Sequence, residues 1–202
     1  ICTVSIGVLK SEKIKFTPIL SNNVQKALDG IQMGLLVKIP LLFDGSRLGF
    51  TENSFLQYDI AEKEIGRGCY FLAWPTGHDY VVGFIGGRFA WDLSKQSEDK
   101  IVEYALSKLA SLHGSNIRKH FLKGFASDWA NNPLTVGAYS AVKPGCYGAR
   151  ELLSEPIAEK LIFAGEATAG NLAGLVNGAY ESGKMAAIRI SNLIKAKISP
   201  FN

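Results

Sequence analysis

The chain has 202 residues, 47% of them hydrophobic and 20% charged, proportions typical of a globular protein. Its formal net charge of +4 is small and spread along the sequence, so we expect no nucleic-acid partner. Three cysteines at long spacings predict neither a disulfide framework nor a metal site, and they favour a reducing, cytoplasmic location. No run of residues is apolar enough to predict a membrane span.

The first part of the chain is predicted to form strands around one helix. The apolar run from Ile1 to Leu9 predicts a buried strand, and because it starts without a lead-in we expect the chain to be a fragment. Ser21 is the predicted N-cap of a helix of about ten residues. Pro40 interrupts the strand-like segment 35–43, which indicates a sheet edge or a bulge.

Three further strands and a helix are predicted next. The strands are expected at residues 50–56, 68–74 and 80–85. The turn Pro75–Asp79 joins the last two strands as a hairpin. A clear apolar stripe predicts a helix over residues 98–112, which Gly114 ends.

The remaining sequence predicts a short strand at 123–128, an ordered loop over 130–150 and a strand at 160–163. A Gly-rich turn then leads to a long helix over residues 174–197. The predicted fold class is α+β, with a hairpin-rich sheet, packed helices and a C-terminal strand–turn–helix. The sequence contains no G-x-G-x-x-G, the motif that binds phosphate in dinucleotide folds.

The strand–turn–helix at residues 161–183 has the composition of a ligand site. Gly165, Gly170 and Gly174 leave bare backbone that a flat ring can approach. The helix that follows presents unpaired N–H groups and a partial positive charge at its N-terminus. A ligand that gains negative charge, such as the pyrimidine end of a reduced flavin, fits such a site. Taken alone, the pattern also fits an ordinary turn whose glycines serve packing.

Three blocks of the sequence resemble the flavin-containing amine oxidases, a family of monoamine oxidases, polyamine oxidases and lysine-specific histone demethylases. The first block is Phe163–Thr168 (FAGEAT) with Asn177–Ala187 (NGAYESGKMAA). The second is Thr3–Lys10 (TVSIGVLK), and a weaker third is Trp129 with Gly137–Ser140 (GAYS). Together they span nearly the whole chain.

The resemblance implies a substrate-binding domain at residues 1–158, with a flanking flavin-domain strand, and the C-terminal segment of an FAD-binding domain at 159–202. It implies oxidation of a C–N bond in a small amine by hydride transfer to flavin N5, with hydrogen peroxide formed on reoxidation. Because the dinucleotide motif is missing, we expect the fragment alone to be inactive. We also expect self-association through the surface left by the missing half.

The cofactor contacts that the resemblance implies lie in the Gly-rich turn and at the start of the final helix. The side chains of the turn approach the ribityl chain, and the backbone at the helix start faces the flavin C2 carbonyl. In this sequence the residues are Gly165, Glu166, Thr168, Gly174, Leu175 and Val176.

Trp129, Tyr139 and Leu175 are the residues that the resemblance places on the substrate side of the ring. Ala138 stands where monoamine oxidases carry the cysteine that bonds to the flavin, so we expect non-covalent FAD. Leu175 stands where those enzymes have a second cage tyrosine, which argues against small aromatic monoamines as substrates.

Lys10 resembles the family lysine that holds a water against flavin N5, and it is the predicted catalytic residue. Lys13 and Lys38 are its rivals, and a solvated charge at a strand end is the alternative for Lys10 itself. Two other functions stay open at this point. One is a related flavin oxidoreductase of the protoporphyrinogen-oxidase or desaturase type, and the other is a non-catalytic protein-interaction module.

Overall fold

A computed structural model describes residues 1–56 and 60–198. The chain forms two compact units. We call the first, which contains Ile1–Gly34 and the chain from Asn132 onwards, the terminal unit. The second, Leu35–Asn131, is the central unit. The assignment of substrate and cofactor roles to residues 1–158 and 159–202 stays a prediction.

The α+β class predicted from the sequence is confirmed, because the described residues contain helices and two antiparallel sheets. The helices are α1 (Ile6–Lys10), α2 (Asn22–Asp29), α3 (Gly87–Leu93), α4 (Glu98–His113), α5 (Ala149–Ser154) and α6 (Val176–Ile198). The strands are β1 (Ile31–Gly34), β2 (Leu36–Phe43), β3 (Ser54–Leu56), β4 (Tyr70–Ala73), β5 (Tyr80–Gly86), β6 (Phe121–Gly124) and β7 (Tyr139–Val142).

The central unit is a five-stranded antiparallel sheet in the order β3-β4-β5-β2-β6, with α4 packed on one face. Residues of β2 alternate, so Val37, Ile39 and Leu41 point into the core while their neighbours point outward. The apolar stripe of α4 supplies the opposing layer, and Ala105 and Leu109 within it are fully buried. Burial of this stripe, more than helix propensity, stabilises α4.

The terminal unit is built on a two-stranded ribbon in which β1 pairs antiparallel with β7. Side chains of α1, α2 and α5 form its core together with residues near Phe163. Ile6, Ile31 and Leu153 are each at most 1% exposed. The ribbon and the turn before α6 therefore rest on a well-packed base.

The strand predicted at the start of the chain is wrong for residues 6–10, which form α1. Ser5 caps this helix, because its Oγ accepts a hydrogen bond from the N–H of Val8 at 3.1 Å. Only Cys2 pairs in extended form, through an isolated parallel bridge with Phe163. An apolar run that is buried on every side shows no periodicity, so the sequence does not distinguish a short helix from a strand there.

Three other predictions need correction. Pro40 does not mark a sheet edge, because β2 lies between β5 and β6. The alternative, a bulge, agrees with the shift in the β2–β6 register between Leu42 and Phe43. The loop predicted over residues 130–150 contains β7, and residues 160–163 form only isolated bridges. These elements depend on partners that are distant in sequence, which local patterns do not reveal.

Four predictions are confirmed by the structure. Helix α2 begins directly after Ser21, and α4 ends at Gly114, which has a φ of 88°. β4 and β5 form the predicted hairpin, and α6 closely follows the predicted final helix. The expected strand at 50–56 is shortened to β3, and the strand expected at 123–128 overlaps β6 only at residues 123 and 124.

Candidate functional site

The candidate site is centred on the carboxylate of Glu166, in the turn between the core and α6. Its Oε1 accepts the backbone N–H of Ser140 at 2.8 Å. Its Oε2 accepts the Ser140 hydroxyl at 2.8 Å and the backbone N–H of Gly174 at 2.7 Å. Glu166 thus ties β7 to the Gly-rich turn, and three donors fix the orientation of its carboxylate.

Tyr139 lies beside this carboxylate network and is 39% exposed. It pairs with Gly34 across the ribbon, and a Cβ at position 34 would lie 2.7 Å from its ring. The ring therefore lies directly over bare backbone. A Cβ added at Gly174 would lie 4.0 Å from the Cβ of Tyr139, so Tyr139 lies next to the turn before α6.

The N-terminus of α6 is open to ligands. The N–H groups of Val176 and Asn177 have no hydrogen-bond acceptor within the part of the chain that the structure describes. Leu175 is 50% and Val176 is 89% exposed. A 23-residue helix whose first N–H groups are unpaired carries partial positive charge at this end.

The start of α6 is held in place by close backbone packing. A Cβ at Gly178 would clash with the carbonyl oxygen of Leu172, so only glycine permits this approach. Ser182 Oγ accepts the N–H of Gly165 at 3.1 Å and lies 2.6 Å from Thr168 Oγ1. Gly165 has a φ of 134°, a conformation that favours glycine.

The predicted cofactor residues therefore divide into two groups. Glu166, Gly174, Leu175 and Val176 come together with Tyr139 at the open end of α6. The Thr168 hydroxyl instead bonds to Ser182 and to the Gly165 carbonyl at 3.1 Å. Its role in the structure is to fasten the turn onto α6, and its predicted contact with a cofactor stays a prediction.

Lys10 lies elsewhere in the terminal unit, at the end of α1. Its Nζ donates to the carbonyl oxygens of Leu28 at 3.2 Å and Ile31 at 3.0 Å. Partial burial, with a further contribution from nearby Lys143, lowers the pKa of its ammonium group. No hydrogen bond joins Lys10 to the Glu166 network among the described residues. Its catalytic role stays a prediction, and the contacts seen here are structural.

Lys38 occupies a different setting, on the outward face of the central sheet. Cross-strand register places Lys38, Phe84 and Tyr70 in one row, and Phe84 contacts the ring of Phe55 at 6.3 Å. The Lys38 side chain is exposed and forms no hydrogen bond or ion pair with the described residues. It is a single positive charge among aromatic side chains.

The row next to Lys38 on this face is entirely apolar. Pro40 pairs with Val82, Val82 with Leu72, and Leu72 with Phe55, which is 66% exposed. We call the two rows together the aromatic sheet face. They consist of Lys38, Phe84 and Tyr70, then Pro40, Val82, Leu72 and Phe55.

Trp129 also belongs to the central unit and is 44% exposed. It follows Ser127, whose Oγ accepts the backbone N–H of Lys38 at 2.9 Å. The structure therefore places Trp129 two residues beyond Ser127, a hydrogen-bond partner of Lys38. Tyr139 and Leu175 lie in the terminal unit, so the three predicted substrate-side residues do not share one unit.

Sequence reasoning missed Ser140 and Arg150. Ser140 is only 4% exposed, and Arg150 donates to its Oγ at 2.6 Å and to its carbonyl at 3.1 Å. Arg150 also donates to the carbonyl of Ala167 at 2.9 Å. Ser140 and Arg150 do not form a known sequence motif with Glu166, so the sequence did not predict this hydrogen-bond network.

The described residues have neither a metal-binding cluster nor a membrane-spanning helix. They contain no group of three or more His, Cys, Asp or Glu side chains arranged to hold a metal ion. No helix within residues 1–56 and 60–198 is both long and apolar enough to cross a membrane. The cytoplasmic location stays a prediction.

The described geometry combines a Gly-rich turn with a helix end whose first N–H groups are unpaired. A family model described as "Flavin containing amine oxidoreductase" matches residues 1–191. The chain belongs to this family of flavin-containing amine oxidoreductases. The resemblance seen in the sequence blocks is thereby confirmed.

The similar proteins include plant members with two kinds of name. The chain is 32% identical to "Lysine-specific histone demethylase 1 homolog 2" of Arabidopsis thaliana over 94% of its length and 26% of that protein. It is 33% identical to "Polyamine oxidase 2" of Arabidopsis thaliana and 34% identical to "Polyamine oxidase 5" of Oryza sativa subsp. japonica. Each of these alignments covers 93% of this chain and 37% of the relative. The chain thus spans between about a quarter and two fifths of the length of these relatives.

Proposed function

We propose that the chain is the C-terminal part of an FAD-dependent amine oxidase that oxidises a C–N bond. The observation that carries the proposal is the open N-terminus of α6 beside Tyr139 and the Glu166-bound turn. The donors fit a flavin, because an unpaired pair of N–H groups and bare glycine backbone suit the electron-rich edge of a flat ring. When bound, a flavin would supply an acceptor for hydride from the carbon next to the amine nitrogen, and its reoxidation by oxygen would give hydrogen peroxide.

In this proposal the residues of the terminal unit bind and orient the cofactor. The N–H groups of Val176 and Asn177 stabilise negative charge at the edge of the ring that they face. Glu166 holds Gly174 so that the helix start keeps its position. We expect FAD to be bound without a covalent bond, since Ala138 offers no nucleophile where monoamine oxidases have cysteine.

We further propose that the aromatic sheet face contacts the substrate. Its apolar rows suit the carbon chain of an amine, and its one charge is the ammonium of Lys38. A positive charge raises the free energy of a second one placed nearby, so an amine on this face is favoured in its neutral form. Only the neutral form has the nitrogen lone pair that drives hydride loss from the adjacent carbon.

Two lysines compete for the role of holding a water or accepting a proton. Lys10 is the residue predicted from the opening block, and its ammonium is engaged by two carbonyls. The unpaired Lys38 ammonium is available to bind water, which favours Lys38. We expect K38M to slow flavin reduction by about 100-fold in anaerobic stopped-flow measurements, the scale of a lost acid–base group. K10M, which keeps the sheet face intact, is the matched control, and slower reduction in K10M than in K38M restores Lys10 as the candidate.

The cofactor part of the proposal is tested on the longest natural chain purified from its host. We expect yellow protein that releases FAD into the supernatant on acid precipitation, and peroxide formation with an amine. Colourless protein that takes up no added FAD refutes the oxidase and leaves the interaction module. Peroxide assays with a polyamine and a monoamine then identify the substrate class.

The remaining expectations stay proposals. We propose that the 202-residue chain alone is catalytically inactive, because it lacks a phosphate-binding motif. The outward side of α6 exposes Val176, Tyr180 and Ile188, which supports the predicted self-association. Sedimentation velocity of the chain at increasing concentration measures it, and a constant monomer mass contradicts it.

A further inference from the structure

Arg150 is the second residue of α5, and its half-buried guanidinium bridges two segments of the terminal unit. Nη1 donates to Ser140 Oγ at 2.6 Å and to the Ala167 carbonyl at 2.9 Å, and Nη2 donates to the Ser140 carbonyl at 3.1 Å. Ser140 lies on β7, before α5 in the chain, and Ala167 lies in the turn that follows α5. The guanidinium therefore joins the strand that carries Tyr139 to the turn that carries Glu166.

The hydrogen bonds at Ser140 have only one consistent direction. A guanidinium has donors but no acceptor, so Ser140 Oγ must accept from Arg150. The single hydroxyl proton is then directed to Glu166 Oε2, at 2.8 Å. The same Oε2 accepts the N–H of Gly174. Arg150 thus determines how Ser140 meets the carboxylate that holds the turn.

We propose that Arg150 is a positioning residue for the cofactor site, acting through Ser140 and Glu166 to fix Gly174 and with it the start of α6. The inference rests on the proposed function for its link to FAD. The claim that Arg150 positions Gly174 depends only on the observed hydrogen bonds. A lysine at this position is a point charge and reproduces only part of the planar, two-nitrogen contact.

The first experiment is a double-mutant cycle in the 202-residue chain with R150M, S140A and both together. The readout is amide hydrogen exchange at Gly174 in the absence of any ligand. We expect R150M to speed exchange at Gly174 by about tenfold, and the double variant to be little faster than S140A alone, because coupled residues are non-additive. A residue with a general structural role gives additive effects.

Arg189 provides a matched control. It lies in the same unit, and its Nη1 donates to the Ser154 carbonyl at 3.0 Å, but no hydrogen bond joins it to the Glu166 network among the described residues. We expect R189M to leave Gly174 exchange within about twofold of the wild type, since independent sites do not couple. Equal effects of R150M and R189M, an additive cycle, or unchanged Gly174 exchange in S140A would each overturn the inference.

If R150M does not fold, R150K decides the same question. Lysine keeps the charge but has a single donor nitrogen, so we expect Gly174 to exchange at a rate between those of the wild type and S140A. Exchange in R150K identical to the wild type overturns the role of the two-nitrogen contact.

The second experiment links the network to the cofactor. FAD is titrated into the same variants of the longest natural chain, stripped of bound FAD, and its fluorescence quenching is recorded, with R150M expected to bind about tenfold more weakly than R189M. Equal affinities of R150M and R189M overturn the cofactor part of the inference. If the longest natural chain with the wild-type sequence binds no FAD, the result counts against the proposed function instead, while the exchange cycle still decides whether Arg150 positions Gly174.

Discussion

Two glycines of α6 give the sharpest test of how the site is built. Gly178 faces the turn before the helix, and an added Cβ would lie 2.8 Å from both the carbonyl carbon and the Cβ of Leu172 and closer still to its carbonyl oxygen. Gly183 lies in the same helix, and an added Cβ there meets no atom within 4 Å. The same substitution by alanine therefore has opposite effects at the two positions.

The expected magnitudes follow from packing and helix propensity. G178A forces the start of α6 away from the backbone of Leu172, which cannot move aside as a flexible side chain can. We expect this to lower the free energy of unfolding by about 1–3 kcal/mol. G183A instead removes a flexible residue from the helix interior and stabilises by about 0.5–1 kcal/mol. With about 2–4 °C per kcal/mol for a chain of this size, the two melting temperatures are expected to differ by roughly 3–16 °C.

Thermal unfolding followed by circular dichroism measures this difference. Because G183A has the same chemistry in the same helix, it controls for the general effect of alanine. A G178A chain as stable as G183A would refute the close approach of α6 to Leu172. The same result would also mean that contact between Gly178 and Leu172 does not hold the N-terminus of α6 in place.

Three further predictions address charge, burial and specificity. Hydrogen bonds from Arg118 and Ser107 hold the pKa of Glu103 at about 2, below its ordinary 4.5, so the stabilisation from this carboxylate is present above pH 4.5 and is lost as pH falls from 4.5 toward 2. In urea denaturation at pH 7, E103Q should lower the free energy of unfolding by less than about 1 kcal/mol, because the ion pair is exposed. At pH 2 the same substitution should have little effect. Burial raises the pKa of the Cys69 thiol to about 12, so iodoacetamide at pH 8 should label the half-buried Cys146 first, and faster labelling of Cys69 contradicts its burial. In the longest natural chain, L175Y should raise kcat/KM for an aromatic monoamine by about tenfold, and an unchanged value argues against Leu175 on the substrate side.

The sequence determined the elements whose signals are local. Helix α4 was predicted from its apolar stripe and from Gly114, and α6 from the glycines and small residues around its start. Such signals suffice because helix bonds and caps join residues only three or four positions apart. The sequence blocks likewise indicated the family that the comparison confirmed.

Only the tertiary structure decided which polar groups meet. Glu166 was singled out from the sequence, but its partner Ser140 is 26 positions away, and Arg150 reaches it from a different helix. The sequence alone does not distinguish the settings of Lys10 and Lys38. In the structure, the Lys10 ammonium donates to two backbone carbonyls, whereas Lys38 lies on the aromatic sheet face. These differences arise from packing between segments distant in the chain, and hydrogen bonds over such separations leave no periodic pattern in the sequence.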